Sequence, residues 1–349
     1  MIIDGSDTVS IDLAVAMLLK GGLIGLPTET VYGLASDALN DDATLKIFDL
    51  KGRPVDHPLI AHVADAAAIQ HFANEIPGFA NNLMAKLWPG PLTLILNKNV
   101  DIANACTGGA ATIALRCPAH KVAQNLLRRC QDVGIWGLAA PSANRFGRVS
   151  PTTARHVLDE FGDSLMILDG GPCAVGIEST IVDCTRGKPI VLRPGTLTLA
   201  EISHAAECVA FSSGELVQKD SLTKASSPKA SGTLESHYAP NARVCLHSIQ
   251  EMHERLQTGS RQNLNTDSDA ILAIWARVKP LTQDKVQNFL YEIMPNNPQE
   301  CAKVLFAQLR AFDDQGITEI WIETPPQAPE WAGITDRLQR AAYSGTEPR

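Results

Sequence analysis

Short aliphatic and β-branched runs alternate with helix-like stretches through residues 1–211, and that alternation confines this part of the chain to an α/β fold. Leu23-Ile24-Gly25-Leu26 reads as a strand, as do Leu59–Val63, Leu92–Leu96, Thr112–Leu115, Ile135–Ala139, Leu165–Leu168, Thr180–Val182 and Ile190–Leu192. Asp41 and Asp42 cap a helix running toward Leu50, and Gly52 ends it. Ala119–Gln131 and Thr152–Phe161 read as helices, the second with Ser150 as its cap and Pro151 in its first turn. Several strands follow one another with no helix between, which a purely parallel doubly wound sheet does not allow. The expectation is a twisted mixed sheet.

The pattern breaks near residue 212. Ser212 to Ser236 is rich in Ser, Lys, Gly and Thr, has no periodicity, and reads as a linker. Beyond it, Arg243–His247, Ala270–Trp275 and Ile317–Ile322 read as strands, and Pro298–Phe312 and Glu330–Tyr343 as helices. The 349 residues therefore divide into an α/β domain at 1–211, a linker or lid at 212–242 and a smaller α/β domain at 243–349.

The formal charge is −8, from 30 basic and 38 acidic side chains. A protein held to nucleic acid mainly by phosphates carries a basic field, and net charge argues against that class here. None of the eight cysteines forms a C-x-x-C pair, and several lie in strand-like runs such as Ile181-Val182-Asp183-Cys184. They read as buried, reduced thiols of a cytoplasmic protein, not as zinc ligands. No signal peptide is evident, and there is no apolar run of about 18 residues to span a membrane.

Chemistry concentrates in loops at strand ends. Pro27-Thr28-Glu29-Thr30-Val31-Tyr32-Gly33-Leu34 offers hydroxyls and a carboxylate, or simply a capped turn with a buried Tyr. In Lys51-Gly52-Arg53-Pro54 the two cations either complement a helix dipole or clamp a phosphate. His62, alternating with apolar neighbours, reads as a satisfied core or rim residue. Leu87-Trp88-Pro89-Gly90-Pro91-Leu92-Thr93 is a tight structural turn. Arg116 shares a strand face with Thr112 and Ala114, and its partner is either a protein carboxylate or an anionic ligand. Pro141-Ser142-Ala143-Asn144 has small side chains that let a ligand approach the backbone, and Arg193 ends a strand before Pro194-Gly195. The Walker, dinucleotide, kinase, G-x-S-x-G and H-E-x-x-H patterns are missing. Four loop cations and many hydroxyls, without a nucleophile–base pair, suit a binder of a polyanionic nucleotide and a small polar molecule. Catalysis there comes from positioning and charge stabilisation.

In order along the chain, Pro27–Leu34, Lys51–Pro54, Leu87–Thr93, Pro141–Asn144 and Glu178-Ser179-Thr180-Ile181 resemble the YrdC-like threonylcarbamoyl-AMP synthases. His237-Tyr238-Ala239-Pro240 and Ile334-Thr335-Asp336-Arg337-Leu338 are similar to the long, two-domain form. The resemblance implies a twisted mixed sheet with a concave active-site groove and a smaller C-terminal Rossmann-like domain. It implies a nucleotidyltransferase of tRNA processing that makes L-threonylcarbamoyl-adenylate and pyrophosphate from L-threonine, bicarbonate or CO2, and ATP with magnesium (Mg2+). The product serves threonylcarbamoyladenosine formation beside the anticodon, through a separate tRNA transferase machinery. A weak tRNA contact and a cytoplasmic, membrane-free setting go with it.

By motif position, the resemblance assigns catalysis to Lys51 and Arg53. It assigns threonine binding to Thr30, His62, Arg116, Ala140, Ser142 and Ser179. Nucleotide or phosphate contacts fall to Arg53, His57, Thr112, Asn144, Ser150, Arg193 and Tyr238, and no protein metal ligand is assigned. His57 departs from the pattern, since some members carry Asn there. Two other readings compete. One is a non-catalytic double-stranded RNA or tRNA module, disfavoured by the acidic charge. The other is the carbamoyl-adenylate chemistry of hydrogenase maturation, disfavoured because this chain opens directly on the YrdC-like motifs.

Overall fold

The computed structural model describes residues 1–214, 228–232, 237–257, 271–279 and 289–343. It divides into two compact units, Met1–Phe146 with Ser150–Thr233, and Gly147–Val149 with Leu234–Arg349. Residues 215–227 and 233–236 of the expected linker, and Ala270 at the start of an expected strand, lie outside the described residues.

The first unit is built on one mixed sheet of eleven strands. In chain order these are β1 (Ile2–Asp4), β2 (Ile24–Leu26), β3 (Gly33–Asp37), β4 (Ile60–His62), β5 (Leu92–Asn97) and β6 (Thr112–Arg116). They continue with β7 (Leu138–Ala139), β8 (Met166–Asp169), β9 (Thr180–Asp183), β10 (Ile190–Arg193) and β11 (Phe211–Ser212). Their spatial order is β1-β8-β2-β3-β7-β4-β6-β5-β9-β10-β11. Parallel pairs such as β4–β6 and β5–β9 alternate with antiparallel ones such as β5–β6 and β9–β10, the last of these joined without a helix. The helices are α1 (Thr8–Leu19), α2 (Asp41–Lys51), α3 (Gly78–Leu87), α4 (Asn104–Thr107), α5 (Lys121–Gln131), α6 (Ala154–Phe161) and α7 (Leu199–Ala206). One apolar cluster gathers Phe48, Phe72, Leu83, Leu94 and Leu115; another gathers Ile11, Leu18, Leu26, Leu126 and Leu138.

Two expected caps are displaced. Asn40, not Asp41 or Asp42, caps α2 by accepting from Ala43 N at 3.0 Å, while the two acids sit in the first turn where they favour the helix dipole. Helix α6 starts at Ala154, not Thr152, and its cap is Thr153, which accepts from His156 N at 3.2 Å. Ser150 and Pro151 are held before it as extended chain, because Pro151 O accepts from Tyr32 N (2.9 Å) and Ser150 Oγ donates to Glu178 Oε1 (2.5 Å). Gly52 does end α2, in the left-handed conformation at φ 64° that glycine adopts without penalty. Of the cysteines, Cys208 is exposed and Cys245 half-buried, so the expectation of buried thiols fails for these two; the other six are buried, and all are free.

The second unit carries a four-stranded, wholly parallel sheet. Its strands are β12 (Arg243–His247), β13 (Leu272–Ala276), β14 (Phe289–Ile293) and β15 (Glu319–Glu323), ordered β12-β15-β13-β14. Helices α8 (Ile249–Gln257), α9 (Pro298–Asp314) and α10 (Ala332–Ala342) accompany it. Met252 and Leu256 of α8 pack with Ile274 and Trp321. Glu330 and Trp331, which the sequence assigns to the last helix, belong instead to a 3-10 turn, Pro329–Trp331, ahead of it. Among the described residues, no helix is long and apolar enough to cross a membrane.

Gly195, just past β10, has room for no side chain: a Cβ there would lie 2.5 Å from Thr180 N and 2.7 Å from its Oγ1. Gly195→Ala is therefore expected to destabilise the first unit by about 1–3 kcal/mol, the usual cost of overpacking against backbone. Urea unfolding of the variant beside the wild type checks this.

Candidate active site

Strand register assembles residues far apart in sequence. Arg116 on β6 lies opposite His62 on β4 and Thr93 on β5, and Thr93 lies opposite Ile181 on β9. That row delivers three buried polar side chains to one stretch of sheet. The loop after β2 closes over it. Thr28 folds that loop back on itself, accepting from Thr30 N and Val31 N at 3.2 Å each and donating to Val31 O at 2.6 Å. The loop's backbone is pinned from outside by Val175 N donating to Glu29 O (2.7 Å) and Gly176 N donating to Thr30 O (3.1 Å).

Arg116 is buried and fully engaged on two of its three nitrogens. Nη1 donates to Thr30 Oγ1 at 2.7 Å, and Nε donates to Gly90 O at 3.2 Å. Nη2 lies 2.6 Å from Glu29 Oε1. Of the two partners open for Arg116 in the sequence, the protein carboxylate is thus present. Burial, followed by the Arg116 charge, pushes His62 down to about 3, so its ring is neutral at ordinary pH. Ala140 adjoins: its N–H donates to Ile60 O at 2.9 Å, and a Cβ on Gly33 would come within 3.1 Å of its methyl group.

A second chain of contacts runs from the same row. Thr93 Oγ1 and Ser179 Oγ are 2.7 Å apart, with either as donor. Arg193 wraps Ser179, donating from Nε (3.2 Å) and Nη2 (2.9 Å) to its carbonyl, and from Nη1 to Ser231 O (2.8 Å). Arg53 reaches the same Ser231 through Nη2 and Oγ at 3.4 Å, donates to His57 O and Pro58 O, and faces the Phe146 ring at 5.7 Å. His57 meets the edge of that ring, and burial and Arg53 lower its pKa.

Lys51, at the end of α2, donates from Nζ to Ser142 O (2.6 Å) and to Asn144 O. Burial, then the Arg53 charge, holds its ammonium well below the ordinary lysine range. Ser142 bridges Gly33, so this loop meets the loop after β2. Thr112 begins β6 and lines a cavity of about 570 Å³ with Asp56, Pro58, Thr107, Arg186 and Lys229.

Apart from Thr112, which lies opposite Asn97 at the other end of β6, the sequence-selected residues of the first unit sit on one sheet row and its adjoining loops. Tyr238 belongs to the second unit, where its buried ring stacks on Phe306 (5.4 Å) and has the Arg337 guanidinium 5.5 Å from its centroid. Three residues without an assigned role also emerge. They are Glu29 beside Arg116, Glu178 accepting from Ser150, and Thr93 beside Ser179. All three sit inside runs already singled out, but partners so distant in sequence give no local signal.

This geometry defines an α/β protein with a polar pocket built from buried cations, hydroxyls and backbone carbonyls, suited to phosphates and a small zwitterion. Residues 16–195 match the Sua5/YciO/YrdC family model, described as "Telomere recombination". Residues 197–343 match the model described as "Threonylcarbamoyl-AMP synthase, C-terminal domain". The threonylcarbamoyl-AMP synthase of Pyrococcus abyssi is 34% identical over 339 residues, covering 95% of this chain and 94% of that one. That of Bacillus subtilis is 34% identical over 336 residues, covering 94% and 92%. The crystal structure of P. abyssi Sua5 complexed with L-threonine superimposes with a TM-score of 0.81 at 32% identity, covering 95% of this chain and 94% of that one. The chain belongs to the Sua5/YciO/YrdC family, in its two-domain threonylcarbamoyl-AMP synthase form.

The His62 shift carries a sign. Between its ordinary 6.5 and its folded value of about 3 the unfolded chain binds the extra proton, so this residue's contribution to stability is lost as pH falls through that window. His62→Asn is expected to flatten the pH dependence of unfolding free energy between about pH 6 and 4, by up to ~1.4 kcal/mol per pH unit. Urea unfolding across that range measures it; an unchanged slope would show that His62 does not titrate there.

Proposed function

We propose that this chain is the enzyme that makes L-threonylcarbamoyl-adenylate and pyrophosphate from L-threonine, bicarbonate or CO2, and ATP. The observation that carries the reading is the meeting of Lys51, Arg53, Arg116 and Arg193 around hydroxyl-bearing loops, in a chain 34% identical to a threonylcarbamoyl-AMP synthase over 95% of its length. Arg116, with Thr30, His62, Ala140, Ser142 and Ser179, takes the amino acid. Lys51, Arg53, His57, Thr112, Asn144, Ser150 and Arg193 take the nucleotide. The nucleotide role of Tyr238 rests on the motif resemblance alone.

In this reading the neutral amine of threonine attacks CO2 and sheds a proton, or attacks bicarbonate with loss of water, and either way gives a carbamate. A carbamate oxygen then attacks the α-phosphorus of ATP, and pyrophosphate leaves. Negative charge grows on the phosphate oxygens, and Arg53 and Arg193 present fixed guanidinium groups to it. Lys51 answers differently. An arriving phosphate opposes the two causes that depress its pKa, burial and Arg53, so the ammonium form is favoured as the nucleotide binds. Among the described residues, no group of three or more His, Cys, Asp or Glu side chains is placed to hold a metal. Magnesium enters as the cation that the triphosphate brings with it, and there it would neutralise charge on the leaving group. The product is then collected by a separate transferase acting on tRNA, and the compartment is the cytoplasm.

The test is pyrophosphate release from ATP and magnesium by the full chain, with threonine and bicarbonate omitted in turn. Release that needs both is the expected result, and release indifferent to both would point to another adenylate-forming or hydrolytic activity. Arg53→Ala is expected to lower the rate by about 10²–10³-fold, as for loss of one charge-stabilising contact, with the unfolding midpoint little changed. Wild-type turnover in the folded variant removes Arg53 from this role.

A further inference from the structure

Glu29 and Arg116 form a buried ion pair whose hydrogen bonding is incomplete on both sides. The Glu29 side chain is 9% exposed and that of Arg116 4%, and Oε1 and Nη2 approach to 2.6 Å. That close contact lies outside hydrogen-bond geometry, and among the described residues Glu29 Oε2 has no partner, although Nε and Nη1 of the guanidinium donate to good ones. A buried carboxylate and a buried guanidinium in this condition are costly, because each has given up water without full replacement. The loop does not let the carboxylate escape, since hydrogen bonds fix the backbone on both sides of Glu29.

Glu29 Oε2 is open to a cationic donor, and Arg116 Nη2, which meets Oε1 at 2.6 Å, carries a second N–H for an anionic acceptor. An α-amino acid carries both on a single carbon. We infer that Glu29 receives the α-ammonium group of the amino-acid substrate and takes one of its protons, while Arg116 holds the α-carboxylate. The inference rests on the threonine-dependent reading above and adds to it the group that makes the nucleophile. In the step, an N–H bond of the ammonium breaks, an O–H bond forms on Glu29, and nitrogen keeps the electron pair. The neutral amine is then free to attack, and the proton returns to solvent after the product leaves. The other titratable groups in this field are Cys117 and His120 beside β6, Cys173 on the loop after β8, and His62 across the strand from Arg116.

The experiment compares two ligands on the full chain by calorimetry: L-threonine, and the 2,3-dihydroxybutanoate in which a hydroxyl replaces the ammonium group. The wild type is expected to prefer threonine by about 10- to 100-fold, the range of a hydrogen-bonded charge. Glu29→Gln keeps an acceptor for Arg116 and removes the charge. It is expected to bind the hydroxy acid as the wild type does and to lose the preference, whereas Glu29→Asp retains most of it. Pyrophosphate release by Glu29→Gln is expected to climb about tenfold per pH unit toward the pKa of free threonine's amine, because the free-amine population alone then sets the rate. A purely structural ion pair predicts neither the selective loss nor the new pH slope. Equal affinity of the wild type for the two ligands overturns the inference whether or not Glu29→Gln folds, and so does an undiminished preference in that variant. Binding of neither ligand by the folded wild type would instead overturn the threonine reading, and this inference with it.

Discussion

A lysine ammonium buried on neutral carbonyls is the constraint on which the pocket turns. Lys51 leaves water at the end of α2 and finds Ser142 O and Asn144 O. Carbonyl dipoles do not cancel a charge as a carboxylate does, so the interior keeps a positive bias that burial and then the Arg53 charge oppose. The bias is structural as well as chemical. The same Lys51 contacts tie the end of α2 to the Pro141–Asn144 loop, and the Gly33–Ser142 bridge ties that loop to the one after β2. Withdrawing the cation would loosen three segments at once.

The sheet explains why those segments meet. His62, Arg116, Thr93 and Ile181 occupy one row across β4, β6, β5 and β9. Side chains alternate along a strand, so a one-residue slip of β6 would turn Arg116 to the opposite face and replace it with Leu115 or Cys117. Apolar packing on the other positions of these strands holds the register: Leu115, Leu94 and Val182 are all completely buried in one cluster. Site geometry and core stability are thus the same property of the strands, read on alternate residues.

That division also accounts for what was legible in the sequence. β5 and β6, each with a buried face of aliphatic residues, show in the hydrophobic pattern, and so does the break near residue 212. β1 and β11, of three and two residues, carry too little pattern to register. β3 begins with Gly33 and includes Ser36 and Asp37, and its strand state comes from pairing with β2 and β7, not from its own residues. Likewise Ser150 looks like a cap by spacing, but the tertiary partner Glu178 outcompetes the helix end for its hydroxyl. Lys51, Arg53, Arg116 and Arg193 were readable because a cation at a strand or helix end needs a partner wherever it lies. Glu29 was visible only as one acid in a polar turn, since its meaning depends on Arg116, which lies 87 positions further along the chain.

The charge distribution closes the physical picture. The chain carries −8 overall, while the pocket of its first unit is lined by buried cations. Exposed acids act through water and salt, which screen them within about 10 Å at ordinary ionic strength. Buried cations act through protein, where the same charge reaches further. An anionic ligand close to the loops therefore feels the pocket more than the acidic surface. The same asymmetry works within the site: burial, and then the Arg116 charge, keeps His62 unprotonated, and Glu29 balances that charge. Lys51, Arg53 and Arg193 donate to carbonyl and hydroxyl oxygens, and their positive charge suits an anionic ligand.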